Sequence, residues 1–365
     1  MGISLSKIFK GVSSSVQVGP ARAIGIDVGA SSVKVVELED VENAIILKSY
    51  GELQLGPYGE KSLGEAVELE SQKIVEAIVD VVREAGILAK EGVMAIPLSS
   101  SFMTVIPITA VTPEELASKI PVEARKYIPV PLPDMSLDWR ELDSATEQKT
   151  NLHEVLIVAV ENTALSRYRD LIRLTGLNAK PSEIEAFSSL RSLWKNSDQS
   201  VAVIDLGAKT SKLYIAKEGL LERVHRVSSG GALISKRIAE MSSVGFEEAE
   251  NIKRTYVDGP EANKDILKAT ESVLERPLQE FKRIIDQYEI RTNQPLSRVI
   301  LTGGVSTGSG TQLLIANLLN REVESADTFS KIAYPAFMED TLLSISPSFH
   351  VATGAALRMF EESSK

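Results

Sequence analysis

The sequence contains no cysteine, only 3 histidines and 5% aromatic residues, and none of its apolar runs approaches the roughly 20 residues that a membrane-spanning helix requires. The missing cysteines exclude a disulfide scaffold and any thiolate metal site, and they fit a reducing compartment. Three histidines are too few for a His-rich metal centre. Positive charge is in deficit as well. The 40 Lys and Arg against 50 Asp and Glu leave a net charge of −10, the wrong sign for a nucleic-acid binder, which displaces counterions with clustered positive charge. Apolar residues, by contrast, fill 43% of 365 positions, enough for a large core divided between two lobes. These quantities point to a soluble protein with no membrane span.

The chain is organised around Ala23-Ile24-Gly25-Ile26-Asp27-Val28-Gly29-Ala30-Ser31-Ser32-Val33-Lys34-Val35-Val36, which reads as strand, tight turn, strand. β-Branched residues alternate on both sides of the turn, as in a hairpin, and Gly29 offers it a backbone geometry closed to residues with a Cβ. Small side chains at Ala30, Ser31 and Ser32 leave amides and two hydroxyls to face an anion. Asp27 would be costly to bury unpaired, and a magnesium ion with its water shell is the usual companion of such a carboxylate beside phosphates. An ordinary hairpin with a capping aspartate would carry the same pattern.

The pattern recurs, almost position by position, in Val201-Ala202-Val203-Ile204-Asp205-Leu206-Gly207-Ala208-Lys209-Thr210-Ser211. Internal repetition of this kind marks two related structural units. Two such hairpins resemble the phosphate-1 and phosphate-2 loops of the actin, Hsp70 and sugar-kinase superfamily. Arg298-Val299-Ile300-Leu301-Thr302-Gly303-Gly304-Val305-Ser306 resembles its adenosine loop, where glycine lets the backbone pass close to base and sugar. The resemblance implies an α/β, actin/Hsp70-type (RNase H-like) two-lobed ATPase fold that holds ATP and Mg2+, with Asp27 and Asp205 taking the metal through water. ATP would lie against Asp27, Gly29, Ala30, Ser31, Ser32 and Lys34 of the first loop, Asp205, Gly207, Lys209 and Thr210 of the second, and Gly303, Gly304 and Val305 of the third. Lys209 would sit over the phosphates or face solvent. Gly230 and Gly231 open a helix whose N-terminal amides would meet phosphate oxygens, an ordinary glycine turn being the alternative. Glu250 and Lys253, at i and i+3 on a helix, match a pair that brackets the ribose in relatives; taken alone they would be an ion pair worth about a few tenths of a kcal/mol.

Residues 1–19 interleave Ile3, Leu5, Ile8, Phe9 and Val12 with Lys7 and Lys10; the pattern reads as a frayed leader, with a membrane or partner contact as the alternative. After the first hairpin come a third strand over 44–50, a surface loop over 51–65, a helix from Ser71 to Gly86 and a strand at 93–97. Residues 101–181 then read as a self-contained unit. It begins with a strand at 102–108 and a helix capped by Thr112-Pro113-Glu114-Glu115 that runs to Tyr127. A proline-rich connector at 128–133 leads to strands at 136–142 and 154–160, joined by an exposed polar tip. A helix over 163–175 and a strand over 178–184 close it. Glu123-Ala124-Arg125-Lys126-Tyr127-Ile128-Pro129-Val130-Pro131 and Leu137-Asp138-Trp139, in this element order, resemble the inserted small α+β (SHS2-like) domain of bacterial PilM and FtsA proteins, and are closer to PilM. The resemblance covers residues 22–358. It divides the chain into a leader (1–20), a first lobe (21–100), the insert (101–181), a return to the first lobe (182–199), a second lobe (200–345) and a crossing helix (346–365). The basic amphipathic helix that closes FtsA is not found at Phe360-Glu361-Glu362-Ser363-Ser364-Lys365.

PilM proteins are actin-like components of type IV pilus and type II secretion machinery. The resemblance therefore implies a cytoplasmic ATP-binding adaptor, recruited to the inner membrane by the N-terminal peptide of a PilN-like pilus protein. Pilus motor ATPases would be further partners and twitching motility the process served. The peptide would gain main-chain bonds from a strand edge and specificity from apolar pockets, at Phe102, Val105, Ile106, Ile157 and Val158. Catalytic residues stay unassigned. Fast hydrolysis needs a water-positioning side chain in the first lobe, and the candidate, Glu161, equally caps the helix after it, so slow or absent turnover is the expectation. An FtsA-like filament-forming homologue and a sugar- or acetate-kinase-like phosphotransferase are the alternatives.

Overall fold

A computed structural model describes residues 22–42, 44–142, 151–255, 264–307 and 310–361. The amphipathic leader and the polar tip at 143–150 lie outside the described residues. Period-two alternation builds the first hairpin: in β1 (Arg22–Val28) and β2 (Ser32–Val41), Ile24, Ile26, Val33 and Val35 bury on one face and Ala23, Val36 and Leu38 on the other. β3 (Ala44–Gln54) completes the meander, and helix α1 (Ser71–Glu84) lays Ile74, Val75, Ile78 and Val81 against the first of those faces before β4 (Glu91–Ile96).

The insert follows as β5 (Ser101–Thr109), α2 (Pro113–Ala124), β6 (Met135–Leu142) and β7 (Leu152–Glu161). Thr112 caps α2 by accepting a hydrogen bond from the Glu115 amide, and the helix stops at Ala124, short of Tyr127. α3 (Asn162–Thr175), β8 (Asn178–Ile184) and α4 (Glu185–Leu193) come next. β8 pairs in parallel with β4, giving a first-lobe sheet of order β3-β2-β1-β4-β8, and Leu171, Ile172, Leu177 and Ala179 join the core under α1. The two elements that close the 101–181 stretch thus pack with the first lobe. The three-stranded sheet of the insert has the order β5-β7-β6.

The second lobe repeats the first: β9 (Ser200–Leu206), β10 (Ser211–Lys217) and β11 (Leu220–Val227), then α5 (Gly231–Ser242), α6 (Phe246–Thr255), α7 (Lys264–Thr292), β12 (Arg298–Thr302), α8 (Thr311–Leu319) and β13 (Glu324–Ser325). Its sheet order, β11-β10-β9-β12-β13, matches that of the first lobe strand for strand. Pro277 inside α7 removes the amide that would bond the Val273 carbonyl, and the Ser229 hydroxyl donates to that carbonyl instead at 3.0 Å.

α9 (Glu339–Glu361) packs on β1, β2, β4 and α4 and reaches β12. It begins at Glu339, ahead of the expected start at 346. Its fit depends on missing side chains: a Cβ on Gly25 would lie 1.9 Å from the Ala352 carbonyl oxygen, and one on Gly354 would lie 1.7 Å from that of Ser188. The stretch 51–65, expected as a surface loop, is also structural. β3 runs to Gln54, Leu55 and Gly56 are buried, and the Leu55 and Val67 amides donate to the Ser31 and Ala30 carbonyls at 2.8 and 2.9 Å, propping the first hairpin turn from below.

Because Gly25 faces backbone that cannot move aside, Gly25→Ala is expected to cost at least about 2 kcal/mol, in the range of overpacked cores. Chemical denaturation checks this: the midpoint should fall with an unchanged m-value.

Candidate functional site

The two hairpin turns are built alike. The Gly29 amide donates to the Ser32 carbonyl at 2.9 Å and the Gly207 amide to that of Thr210 at 3.0 Å. Neither glycine has positive φ, which corrects the expected reason for Gly29. A Cβ at Gly29 or Gly207 would sit 3.1 or 3.2 Å from the carbonyl it bonds, so the requirement is close approach. Gly303 is the position that does need glycine, with φ +90 and a Cβ that would meet the Leu206 carbonyl oxygen at 2.4 Å.

The turns face a cavity of about 390 Å3 between the lobes, within the size range of small-ligand sites. Every residue expected at ATP lines it except Gly230: Asp27, Gly29, Ala30, Ser31, Ser32 and Lys34; Asp205, Gly207, Lys209 and Thr210; Gly231, Glu250, Lys253, Gly303, Gly304 and Val305. The N-terminus of α5 is not open to an anion. The Gly231 and Ala232 amides donate to the Gly207 and Ala208 carbonyls at 2.9 Å each, and those of Leu233 and Ile234 donate to Gly230. α5 therefore braces the second turn. A more open depression of about 620 Å3 between α5 and α7 is separate; Arg237 and Arg276 at its rim pair with Glu240 and Glu280.

Charge is distributed unevenly around the cavity. In register, Asp27 lies opposite Lys34 and Asp205 opposite Lys212. Lys34 turns aside to the Ser32 hydroxyl at 2.7 Å and Glu52 at 3.2 Å. Asp27 makes no ion pair among the described residues, and burial, only partly offset by Lys34, raises its pKa above the usual carboxylate range. Lys212 behaves differently: its ammonium lies 3.0 Å from Asp205 and 2.8 Å from Glu185, the residue that opens α4. Burial opposes both charges, yet each holds the other, so Asp205 titrates well below the usual range and Lys212 well above its own. Burial makes Lys253 a weaker base than an ordinary lysine although Glu250 pairs with it at 2.6 Å. Glu250 accepts from Ser235 and Arg254 as well, a network that a surface ion pair lacks. Lys209 is exposed and pairs with Glu68 across the mouth of the cleft.

Glu161 is not part of this site. It lies exposed at the end of β7 and is the N-cap residue of α3. Glu185, at the start of α4, is a further first-lobe carboxylate in the cleft beside Asp27 and Glu52, and sequence reasoning missed it together with Lys212 and His350. Lys212 was readable as the repeat counterpart of Lys34. Glu185 was readable as an acid at the carboxyl end of β8, which runs parallel to β1 through β4 and so ends at the edge where Asp27 stands. His350 is buried beside Asp205, with Nδ1 bonded to the Pro347 carbonyl at 2.9 Å.

Residues expected to meet a peptide divide by burial. Ile106, Ile157 and Val158 are fully buried, Ile106 and Ile157 under α2 and Val158 toward α4 and the second-lobe sheet. β7 pairs on both sides, so it has no free edge, and these three side chains belong to the core. Phe102 and Val105 are half-buried on β5, an edge strand, and point to opposite faces. Glu154 of β7 pairs with Arg223 and Arg291 and ties the insert to the second lobe.

A family model described as type IV pilus assembly protein PilM matches residues 25–360. A solved PilM-PilN type IV pilus biogenesis complex is similar to the chain with a TM-score of 0.76 and 25% identity, over 92% of this chain and 98% of that one. The ethanolamine utilization protein EutJ from Carboxydothermus hydrogenoformans shares the fold at a TM-score of 0.55 and 16% identity, over 97% of this chain and 93% of that one. Cell division protein FtsA from Enterococcus faecalis is 22% identical over 334 residues, 79% of this chain and 74% of that protein, a distant likeness. The fold is actin-like, and the chain belongs to the type IV pilus assembly protein PilM family.

Proposed function

We propose that the chain is an actin-like, ATP-binding adaptor of a type IV pilus or related type II secretion machine, which holds a nucleotide between its two hairpin turns and carries the N-terminal peptide of a PilN-like inner-membrane protein. The observation that carries the nucleotide reading is the convergence of both turns and the Gly303-Gly304 backbone on one cavity. Turn amides would meet phosphates, the buried Glu250–Lys253 pair the ribose, and Ile234, Ile266 and Val305 the base. Asp27, a carboxylate without an ion-pair partner beside this polar turn, fits a hard cation held through water. Bound there, magnesium would supply positive charge to the phosphates. Turnover is slow in this reading because both oxygens of Glu185 are engaged, Oε1 by the Leu98 amide at 2.7 Å and Oε2 by Lys212, so neither is held free for a water.

The partner reading rests on family membership and on the similarity to a complex that contains PilN. The unpaired edge of β5 suits an extended peptide, since strand addition sends alternate side chains to both faces, where Phe102 and Val105 wait. Among the described residues no helix is long and apolar enough to cross a membrane. Cytoplasmic placement and recruitment to the inner membrane would then come through the PilN-like protein, and pilus motor ATPases would engage the assembled complex.

Asp27→Asn removes a half-buried carboxylate that burial disfavours in its charged form and that Lys34 only partly offsets. It is expected to raise the melting temperature of the nucleotide-free chain by about 2 °C and to weaken magnesium-ATP binding about tenfold. Calorimetry that finds native affinity in this variant would count against the metal role. For the peptide, Phe102→Asp and Val105→Asp are each expected to weaken binding of a synthetic copy of the partner's N-terminus at least about tenfold with unchanged circular dichroism. A peptide that binds both variants as tightly as the native chain has its site elsewhere.

A further inference from the structure

The two hairpins carry the same aspartate and the same lysine in the same register, but they use them differently. In the first lobe the lysine leaves its aspartate for Ser32 and Glu52. In the second it is locked between Asp205 of its own hairpin and Glu185 of the opposite lobe, with all three side chains in the floor of the cavity and about nine-tenths buried. An ammonium so placed does two things that a bound cation otherwise does beside phosphates. It cancels carboxylate charge that would repel them, and it fixes the orientation of the acids around them.

Glu185 is the second acid that Lys212 holds. Among the described residues it is the carboxylate that the first lobe's β8–α4 junction sends into the cleft. With its oxygens held by the Leu98 amide and by Lys212, it has little capacity left to align or deprotonate a water.

We propose that Lys212 is an internal cation of the nucleotide site: it replaces part of the metal's charge at the second hairpin and restrains Glu185, so that the chain holds ATP with little dependence on magnesium and turns it over slowly. The inference rests on the nucleotide reading above and adds to it a positioning role for one lysine. Lys212 acts through the acids it holds and needs no contact with the reacting atoms.

The test begins with the native chain, so that it does not depend on a variant that folds. Calorimetric ATP affinity with magnesium and with EDTA should differ by less than about thirtyfold; a larger ratio overturns the inference while leaving the nucleotide reading in place. Absence of ATP binding under both conditions overturns the nucleotide reading, and the inference with it. Lys212→Met then leaves Asp205 and Glu185 uncompensated. Its ratio of affinities with and without magnesium should exceed the native ratio by at least about tenfold, and its turnover should rise about tenfold. Lys212→Arg should restore the native ratio, and adding Glu185→Gln to Lys212→Met should abolish the gain in turnover. A folded Lys212→Met chain with native magnesium dependence and native turnover overturns the role assigned to Lys212.

Discussion

Asp27, Glu52, Glu185, Asp205 and Glu250 border one cavity, and their mutual repulsion is the constraint that the surrounding structure has to offset. Like charges a few ångströms apart and away from water repel by several kcal/mol. The chain offsets this with cations placed by strand register and helix spacing. Lys212 stands opposite Asp205 on paired strands, and Lys253 and Arg254 stand three and four residues after Glu250 on α6. Several of these contacts cross between the lobes: Lys212 to Glu185, Lys209 to Glu68, and Arg254 to Gln54 at 3.3 Å. The lobes are therefore held together at the cavity by the charges that line it and its mouth. Asp27, without an ion-pair partner, is the exception.

Much of the fold was legible because it rests on local rules. Alternating apolar residues around two Asp-x-Gly turns specified two hairpins, and their repetition specified two sheets of one topology. Thr112-Pro113, Gly86 and Gly176 bounded helices where capping chemistry says they should. What escaped was long-range. Nothing in the period of residues 178–184 says whether that strand pairs with β7 or with β4, and burial on the first-lobe core decided for β4. Likewise the glycines and glutamates of 51–65 looked like a surface loop, yet the Leu55 amide props the first turn and Gly64 abuts Glu250 of the other lobe.

The site was legible where the two halves repeat and illegible where they diverge. Asp27 and Asp205 were evident as equivalents, while the different use of Lys34 and Lys212 depends on Glu185, whose approach to the second hairpin is a tertiary fact. The N-terminus of α5 carried the right residues for an anion site, but hydrogen bonds to Gly207 and Ala208 had already used its amides. In the insert, apolar strand residues signalled a binding surface without saying which were core. The β5-β7-β6 order separates them, because the central strand has neither a free edge nor a free face.

In the proposed role a bound nucleotide would serve the adaptor as part of its architecture more than as the substrate of a reaction. Three features converge on that role: family membership, a cavity lined by both turns, and a first-lobe carboxylate restrained by an ion pair. The most direct measurement is the identity and amount of nucleotide retained by the purified chain after incubation with magnesium-ATP and gel filtration. A stoichiometric amount of ATP, still unhydrolysed after hours, is the expected result. Retention of no nucleotide, or rapid conversion of all of it to ADP, would contradict it.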